Sequence, residues 1–537
     1  MTRRTLGPLP LALGVSAGLA GFSWTIAVTS GANLLHYDAK AHLVVARRVL
    51  DSLTPGWVQL GVVWLPLPHI LNALPSQSDW LYSTGLFASA IGLVAFVAGM
   101  AALAVAAARA TGDEWAGVVA LSVPALNPGW LYLQATPLTE PLAAGLVGGL
   151  VLALVRWQQE GRDRHLWLAA LFSALACLVR YEAWAVAAAA AVVVGVAGRR
   201  ASLAAGLRFA AAGLGAPVAF YGLHSWIAAG RPFVAMTPEF LTGPRGDLGR
   251  AVALVAHGVA DAYGPALALA ALIALAVALA RRHALAGVAL VCLAAGAVVT
   301  AAYLAGHPAK ARYPLLLAPA LALALAAGTS GSRKAQAAAL VLAASQGLFV
   351  GNPSPVLAES TRHLSAAIER RPVVAALRRE YGGGKLLASM GSSAPFLFEL
   401  QLPLREVVHE GNHPVWERAL ESPRREVSFV LVAKGDVIDR ERARRPALLE
   451  GFEPWLRFRR SVLYRTAGPQ TTAPKRAKTL PKAHPSMAAP RATPANSRPE
   501  RSSGWRVSTP LKTPTPSSVP TESTQDTGKA QPPTPNR

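Results

Sequence analysis

The chain has 537 residues, of which 52% are apolar and only 15% charged, with a formal net charge of +23. Soluble proteins carry roughly 25% charged residues, so the composition argues against a simple soluble enzyme and for a membrane protein. A pI near 10.8 also suits a nucleic-acid binder, but that function needs Lys and Arg gathered on one face, and here apolar runs interrupt them repeatedly.

A mean hydropathy of +0.34 in a chain that holds 46 Gly and 41 Pro requires the apolar residues to come in blocks. There are about eleven, at 7–29, 81–108, 115–133, 138–155, 166–180, 183–198, 206–229, 264–280, 284–305, 313–328 and 336–351. A hydrocarbon core about 30 Å thick takes about 20 apolar residues in helical form. The pattern therefore predicts an all-α polytopic membrane protein of about eleven transmembrane helices. Ala, Gly and Pro in the shorter runs suit close helix packing. Met1-Thr2-Arg3-Arg4 opens like a signal peptide, but the run behind it is long and lacks a small-residue cleavage site, so it reads as a retained first helix. Cys177 and Cys292 sit inside apolar runs and offer neither a disulfide framework nor a zinc ligand set.

Alternate helix ends carry Arg3, Arg4, Arg109, Arg156, Arg162, Arg164, Arg199, Arg200, Arg208, Arg281, Arg282, Arg333 and Lys334, against Asp113, Glu114, Glu160 and Asp163. The positive-inside rule makes these ends and the N-terminus cytoplasmic. Long loops at about 30–80 and 230–263, and everything after residue 352, then fall on the external face. Residues 1–352 form the transmembrane domain. From 360 to 466 a helix-like stretch (Thr361 to Tyr381) precedes short apolar runs at 385–389 and 427–432, alternating with polar helical ones, which predicts a small external α/β domain. From 467 to 537 Pro, Thr, Ser, Lys and Arg dominate and aliphatic residues are almost lacking, so this basic tail is expected to be disordered. The tail holds 11 Lys plus Arg against 3 acidic residues. Together with the cytoplasmic ends it accounts for most of the net charge.

The first external loop holds Tyr37-Asp38-Ala39-Lys40-Ala41-His42. In a helix Asp38 and His42 share a face at i and i+4, a geometry that can share a metal ion or a proton, while Leu43, Val44 and Leu50 can lie on the membrane surface. Asp38 is a candidate general base; as the alternative it caps the helix. Glu140, in Thr139-Glu140-Pro141-Leu142 at the mouth of the fourth run, either faces a polar cavity or favours the helix dipole. Arg180 and Glu182, between two runs, can pair with each other. Lys310 and Arg312 lie with His307 in a short external turn, against the positive-inside bias; a lipid phosphate would explain them, as would snorkelling to headgroups. Arg231 and Arg245 are further phosphate candidates. Trp64, Trp80, Trp130, Tyr132, Trp184, Tyr221 and Trp226 near helix ends read as interface anchors.

Over residues 1–350 this order of elements resembles the C-type (GT-C) membrane glycosyltransferases, the superfamily of the protein O-mannosyltransferases and lipid A aminoarabinose transferases (glycosyltransferase family 39-like). The resemblance implies catalytic roles for Asp38 and Glu140, and phosphate binding by Lys310, Arg312 and Arg180. It implies a polyprenyl-phosphate-linked sugar donor, an acceptor hydroxyl on a glycan, lipid or protein, inversion at the anomeric carbon, and a site on the periplasmic face of a bacterial inner membrane. A divalent metal ion could bridge Asp38, His42 or Glu140 to the phosphate; nucleic acid has no place in this reading. Asp38-Ala39 stands where the protein mannosyltransferases have Asp-Glu, which departs from that acceptor class. The competing reading is a polytopic transporter or flippase, which calls for charged or broken-helix features near mid-membrane in two related halves. The polar residues cluster instead at one face.

Overall fold

The computed structural model describes residues 7–196, 200–233, 241–349 and 354–467. Arg3, Arg4, Arg199 and the tail beyond Ala467 lie outside the described residues.

All eleven apolar runs contain helix, but several are broken. The 115–133 run splits into Glu114–Ala125 and Pro128–Leu133. Asn127 makes the break: its Oδ1 accepts from the Trp130 amide at 3.0 Å, while its Nδ2 donates to the Ala262 carbonyl and to Gln346 Oε1 at 2.7 and 2.8 Å. Pro128 follows at the first helical position, where its missing N–H costs nothing. Leu248–Tyr263 and Pro265–Ala280 meet at a 110° bend, formed by Gly264 at φ +85° and by the proline that cannot donate to the preceding turn. A helix thus occupies much of what reads in sequence as the 230–263 loop. Among the described residues five helices are long and apolar enough to cross a membrane: Pro8–Ser30, Leu86–Thr111, Glu140–Glu160, Leu203–Ala229 and Ala284–Leu304. The bent pair makes six, and Glu114–Ala125, Glu182–Val196 and Tyr313–Thr329 are apolar but shorter. By length and composition the chain is an integral membrane protein, and among the described residues fewer single helices reach spanning length than there are apolar runs.

Close packing fixes the helix that carries Glu140. A Cβ on Gly99 would strike the Gly145 backbone, and one on Gly148 would strike the Gly99 carbonyl. Leu86–Thr111 and Glu140–Glu160 therefore touch backbone to backbone, as small residues allow.

Beyond the helix Pro355–Glu380 lie strands β1 (Leu386–Ala388), β2 (Val407–Val408), β3 (Phe429–Ala433), β4 (Phe452–Phe458) and β5 (Ser461–Thr466). They form one sheet in the order β2-β1-β3-β5-β4, with β1 parallel to β2 and β3, and β5 antiparallel to β3 and β4. The first loop is built into this domain. Its helix Tyr37–Arg48 packs Ala41, Leu43 and Val44 against Phe396, Leu397 and Phe398. Leu43 and Val44 are thus interior residues, and of the three only Leu50 is exposed. Lys40 Nζ reaches Glu399 Oε1 at 2.6 Å, and Arg370 takes both Glu399 oxygens at 2.7 Å. Asp51 accepts from the amides of Leu404 and Arg405 at 3.1 and 3.3 Å. Charges removed from water persist only when paired in this way.

Several expected interface anchors are core residues instead. Trp130, Tyr132 and Tyr221 are buried, whereas Trp80 and Trp226 are exposed. Trp130 stacks on Phe96 and donates to the Tyr263 hydroxyl at 3.3 Å.

Candidate active site

Asp38 is the second residue of Tyr37–Arg48. Its helix is capped by the preceding His36, whose Nδ1 accepts from the Asp38 amide at 3.0 Å. Capping therefore falls to His36 and leaves the Asp38 carboxylate free for other work. One of its oxygens, Oδ2, takes an ion pair from Arg312 Nη2.

Arg312, 5% exposed, is the hub. Its Nε lies 2.7 Å from Glu140 Oε1 and its Nη1 lies 2.7 Å from His36 Nε2. Glu140 opens its helix, and the same Oε1 accepts from Arg180 Nη1 at 2.8 Å. Arg180 also donates to Thr139 Oγ1 at 3.1 Å and grips both Glu182 oxygens at 2.7 and 3.2 Å. The Tyr313 ring lies 5.2 Å from the Arg180 guanidinium carbon and 5.5 Å from that of Arg312, so one aromatic ring faces both cations. Glu140 Oε2 is buried with no donor among the described residues.

Glu359, on Pro355–Glu380, ties two distant segments together. Its Oε2 accepts from the Ala311 amide at 2.9 Å, and its Oε1 lies 3.4 Å from His36 Nε2 and 3.7 Å from Lys310 Nζ. Among the described residues Lys310 enters the network through Glu359. One turn further on, His363 meets the His36 ring edge-on at 5.2 Å. Four carboxylates, Asp38, Glu140, Glu182 and Glu359, thus surround Lys310, Arg180 and Arg312. Each acidic side chain is ion-paired, and the site carries one formal negative charge in excess before any proton on histidine is counted.

The electrostatics follow from burial and pairing. Burial pushes the Asp38 carboxyl up, but Arg312 and then His36 outweigh it and hold the group below the usual carboxylate range. At Glu359 burial is likewise overcome, by the His36 hydrogen bond and the Arg312 charge, to about 2. Burial opposes the charge on Arg312, yet Asp38 and Glu140 raise its pKa well above the ordinary value. Burial, with the neighbouring His36, lowers His363 to about 4.

The structure thus joins Asp38, Glu140, Arg180 and Arg312 directly and Lys310 through Glu359. His42 lies close enough to feel the charges of Asp38 and Glu140 but hydrogen-bonds elsewhere: its Nδ1 lies 2.9 Å from His69 Nε2, its ring packs on Trp64 at 4.2 Å, and burial lowers its pKa to about 4. Among the described residues no three His, Cys, Asp or Glu side chains gather to hold a metal ion. A divalent cation between Asp38 and Glu140 would also meet two guanidiniums. The Asp38, His42 and Glu140 set does not fit a metal. Arg231 and Arg245 are exposed and outside the network. Sequence reasoning misses His36 and Glu359. The signal at His36 is its position immediately before the helix that carries Asp38, while Glu359 stands in no motif.

No family model matches this sequence, and no curated protein matches it. Solved structures do. ArnT from Cupriavidus metallidurans bound to undecaprenyl phosphate superposes with a TM-score of 0.54 at 13% identity, covering 85% of this chain and 99% of that one. The fold is that of ArnT. The apo form of the same ArnT has a TM-score of 0.54 and 13% identity, over 84% of this chain and 100% of that one. At these coverages the likeness takes in both the helical bundle and the α/β domain described above.

Proposed function

We propose that this chain is a membrane glycosyltransferase that moves a sugar from a polyprenyl-phosphate donor to an acceptor hydroxyl. The observation that carries the proposal is the buried Asp38–Arg312–Glu140–Arg180 network, placed where the first loop, the Glu140 helix and the late basic turn converge in a GT-C fold. The donor class is supported by the undecaprenyl phosphate bound to ArnT.

In this reading the acceptor hydroxyl attacks the anomeric carbon as the bond from that carbon to the phosphate oxygen breaks, and the configuration inverts. The hydroxyl proton passes to Asp38 Oδ1, the oxygen that Arg312 leaves free. Arg312 and Arg180 stabilise the charge that collects on the departing phosphate, with Lys310 at the edge; fixed cations in a water-poor site do this without reorganising. Glu140 is a positioning residue that holds the two guanidiniums side by side. The site lies on the external, periplasmic face of a bacterial inner membrane with the N-terminus inside, as the distribution of Lys and Arg supports. The acceptor is a glycan, a lipid or a protein.

Membranes containing the wild type or Asp38→Asn, given radiolabelled sugars on polyprenyl phosphate, test the reading. The variant is expected to lose about 10²- to 10⁴-fold in transfer, the range of general-base catalysis. A folded Asp38→Asn that transfers at the wild-type rate removes Asp38 from the mechanism. Substrate flux in proteoliposomes with no glycosyl product would favour a transporter instead.

A further inference from the structure

The α/β domain carries a second concentration of positive charge that the glycosyl-transfer reading does not use. A cavity of about 330 Å³ opens beside β3, β4 and β5, and its lining includes Lys434, Arg442, Arg457, Arg459 and Arg460, with Asp439 the one acidic residue. The strand register explains its form. Val432 pairs with Val462 across β3 and β5, and Arg457 pairs with the same Val462 across β4 and β5. Cross-strand partners share a face of the sheet, so Val432 and Val462 make the floor and Arg457 stands beside them. Lys434 leaves the end of β3, and its amide donates to the Arg460 carbonyl at 2.9 Å, which draws the β4–β5 turn over the same floor. The helix Val437–Arg444 brings Asp439 and Arg442 to the cavity.

Not all of this charge is compensated. Arg442 is spoken for by Asp439 at 2.8 Å, and Arg459 by Glu369 at 3.3 Å. Lys434, Arg457 and Arg460 form no ion pair among the described residues, and all three are exposed. Three unpaired cations around one concavity repel each other, and an anion between them removes that cost. A single carboxylate satisfies one guanidinium fork. A phosphate group offers three terminal oxygens and up to two charges, which suits three donors lining one cavity. The volume is that of a small-molecule site, at the lower end of the usual range of about 300–1,000 Å³.

We propose that this cavity binds a phosphate-monoester or diphosphate group, at a site distinct from the Asp38–Arg312 network. The group could be presented on a soluble molecule or on a lipid head; the recognising chemistry is the same. This inference does not rest on the glycosyl-transfer reading and can stand if that reading fails.

The test is titration of the full chain, in nanodiscs of phosphatidylcholine alone, with inorganic diphosphate. Saturable binding is expected, weakened about tenfold or more by Arg457→Gln with Arg460→Gln and less by Lys434→Gln. Because these side chains are exposed, thermal unfolding should be unchanged. The Arg457→Lys, Arg460→Lys pair should keep part of the affinity by conserving charge. Absence of saturable binding, or binding that the double Gln variant leaves intact, would overturn the proposal. Repeating the titration in nanodiscs of equal phosphatidylcholine and phosphatidic acid separates the sources. Competition by the acidic lipid, lost in the double Gln variant, assigns the group to a lipid head, and an unchanged isotherm assigns it to a soluble molecule.

Discussion

Asp38 holds its charge because Arg312 pairs with it, and the same pairing makes it a weak base at rest. The sign of its shift sets the pH dependence. A carboxyl held below its usual range stays ionised as pH falls, so transfer should be flat on the acid side down through about pH 5. A rate that halves near pH 6 and follows a single carboxyl would contradict the pairing. Glu359 gives the matching prediction for stability. Its folded pKa is about 2 against an ordinary 4.5, so the stability it contributes is fully present above 4.5 and is lost as pH falls toward 2. Acid unfolding of Glu359→Gln should lack that component. Arg312→Lys keeps one charge but loses the planar fork that spans Asp38, Glu140 and His36. Its kcat should fall about 10²-fold while the protein remains folded. Asp38, Glu140, Arg180 and Arg312 were legible because charge is rare in an apolar chain and expensive at membrane depth. His36 and Glu359 were not, because their importance comes from partners distant in sequence, Arg312 lying 276 residues from His36 and Glu359 lying 323 from it, and no local pattern encodes such a contact.

At the scale of elements, apolar runs predict helix well and helix length poorly. Residues 115–133 read as one span, yet Asn127 and Pro128 divide it, since a buried amide side chain there satisfies the backbone better than a continued turn. The first loop shows the opposite failing. Its polar character was visible, but Leu43 and Val44 suit a membrane surface and a protein core equally, and only the fold supplies Phe396 and Phe398 to cover them. The contact of Gly99 with Gly145 and Gly148 makes a sharp prediction. Gly145→Leu should separate the two helices, displace Glu140, and lower both thermal stability in detergent and transfer, whereas Gly14→Leu, with open space beside it, should leave both unchanged.

Across the whole molecule, the α/β domain holds the helix that carries the proposed base, Asp38. The helix that carries Asp38 is gripped by Glu399 through Lys40 and shares a hydrophobic core with the α/β sheet. Glu399→Ala would leave Lys40 buried and Arg370 half-buried without their shared partner, a loss of about 3–5 kcal/mol, readable as a drop in thermal unfolding temperature. The net charge of +23 divides among one set of helix ends, the basic tail, and a smaller share in the remaining loops and the α/β domain. Within that share the buried network around Asp38 is itself slightly acidic, and the unpaired cations gather instead beside β3 and β5.

The central claim is that the buried carboxylate–guanidinium network performs glycosyl transfer, with Asp38 taking the proton and the arginines holding the phosphate. Single-turnover transfer from an undecaprenyl-phosphate-linked sugar, measured beside binding of undecaprenyl phosphate to the same reconstituted protein, separates these roles. The account predicts that Asp38→Asn binds the lipid phosphate at least as well as the wild type and transfers about 10²- to 10⁴-fold more slowly; equal transfer by a folded Asp38→Asn protein would contradict it.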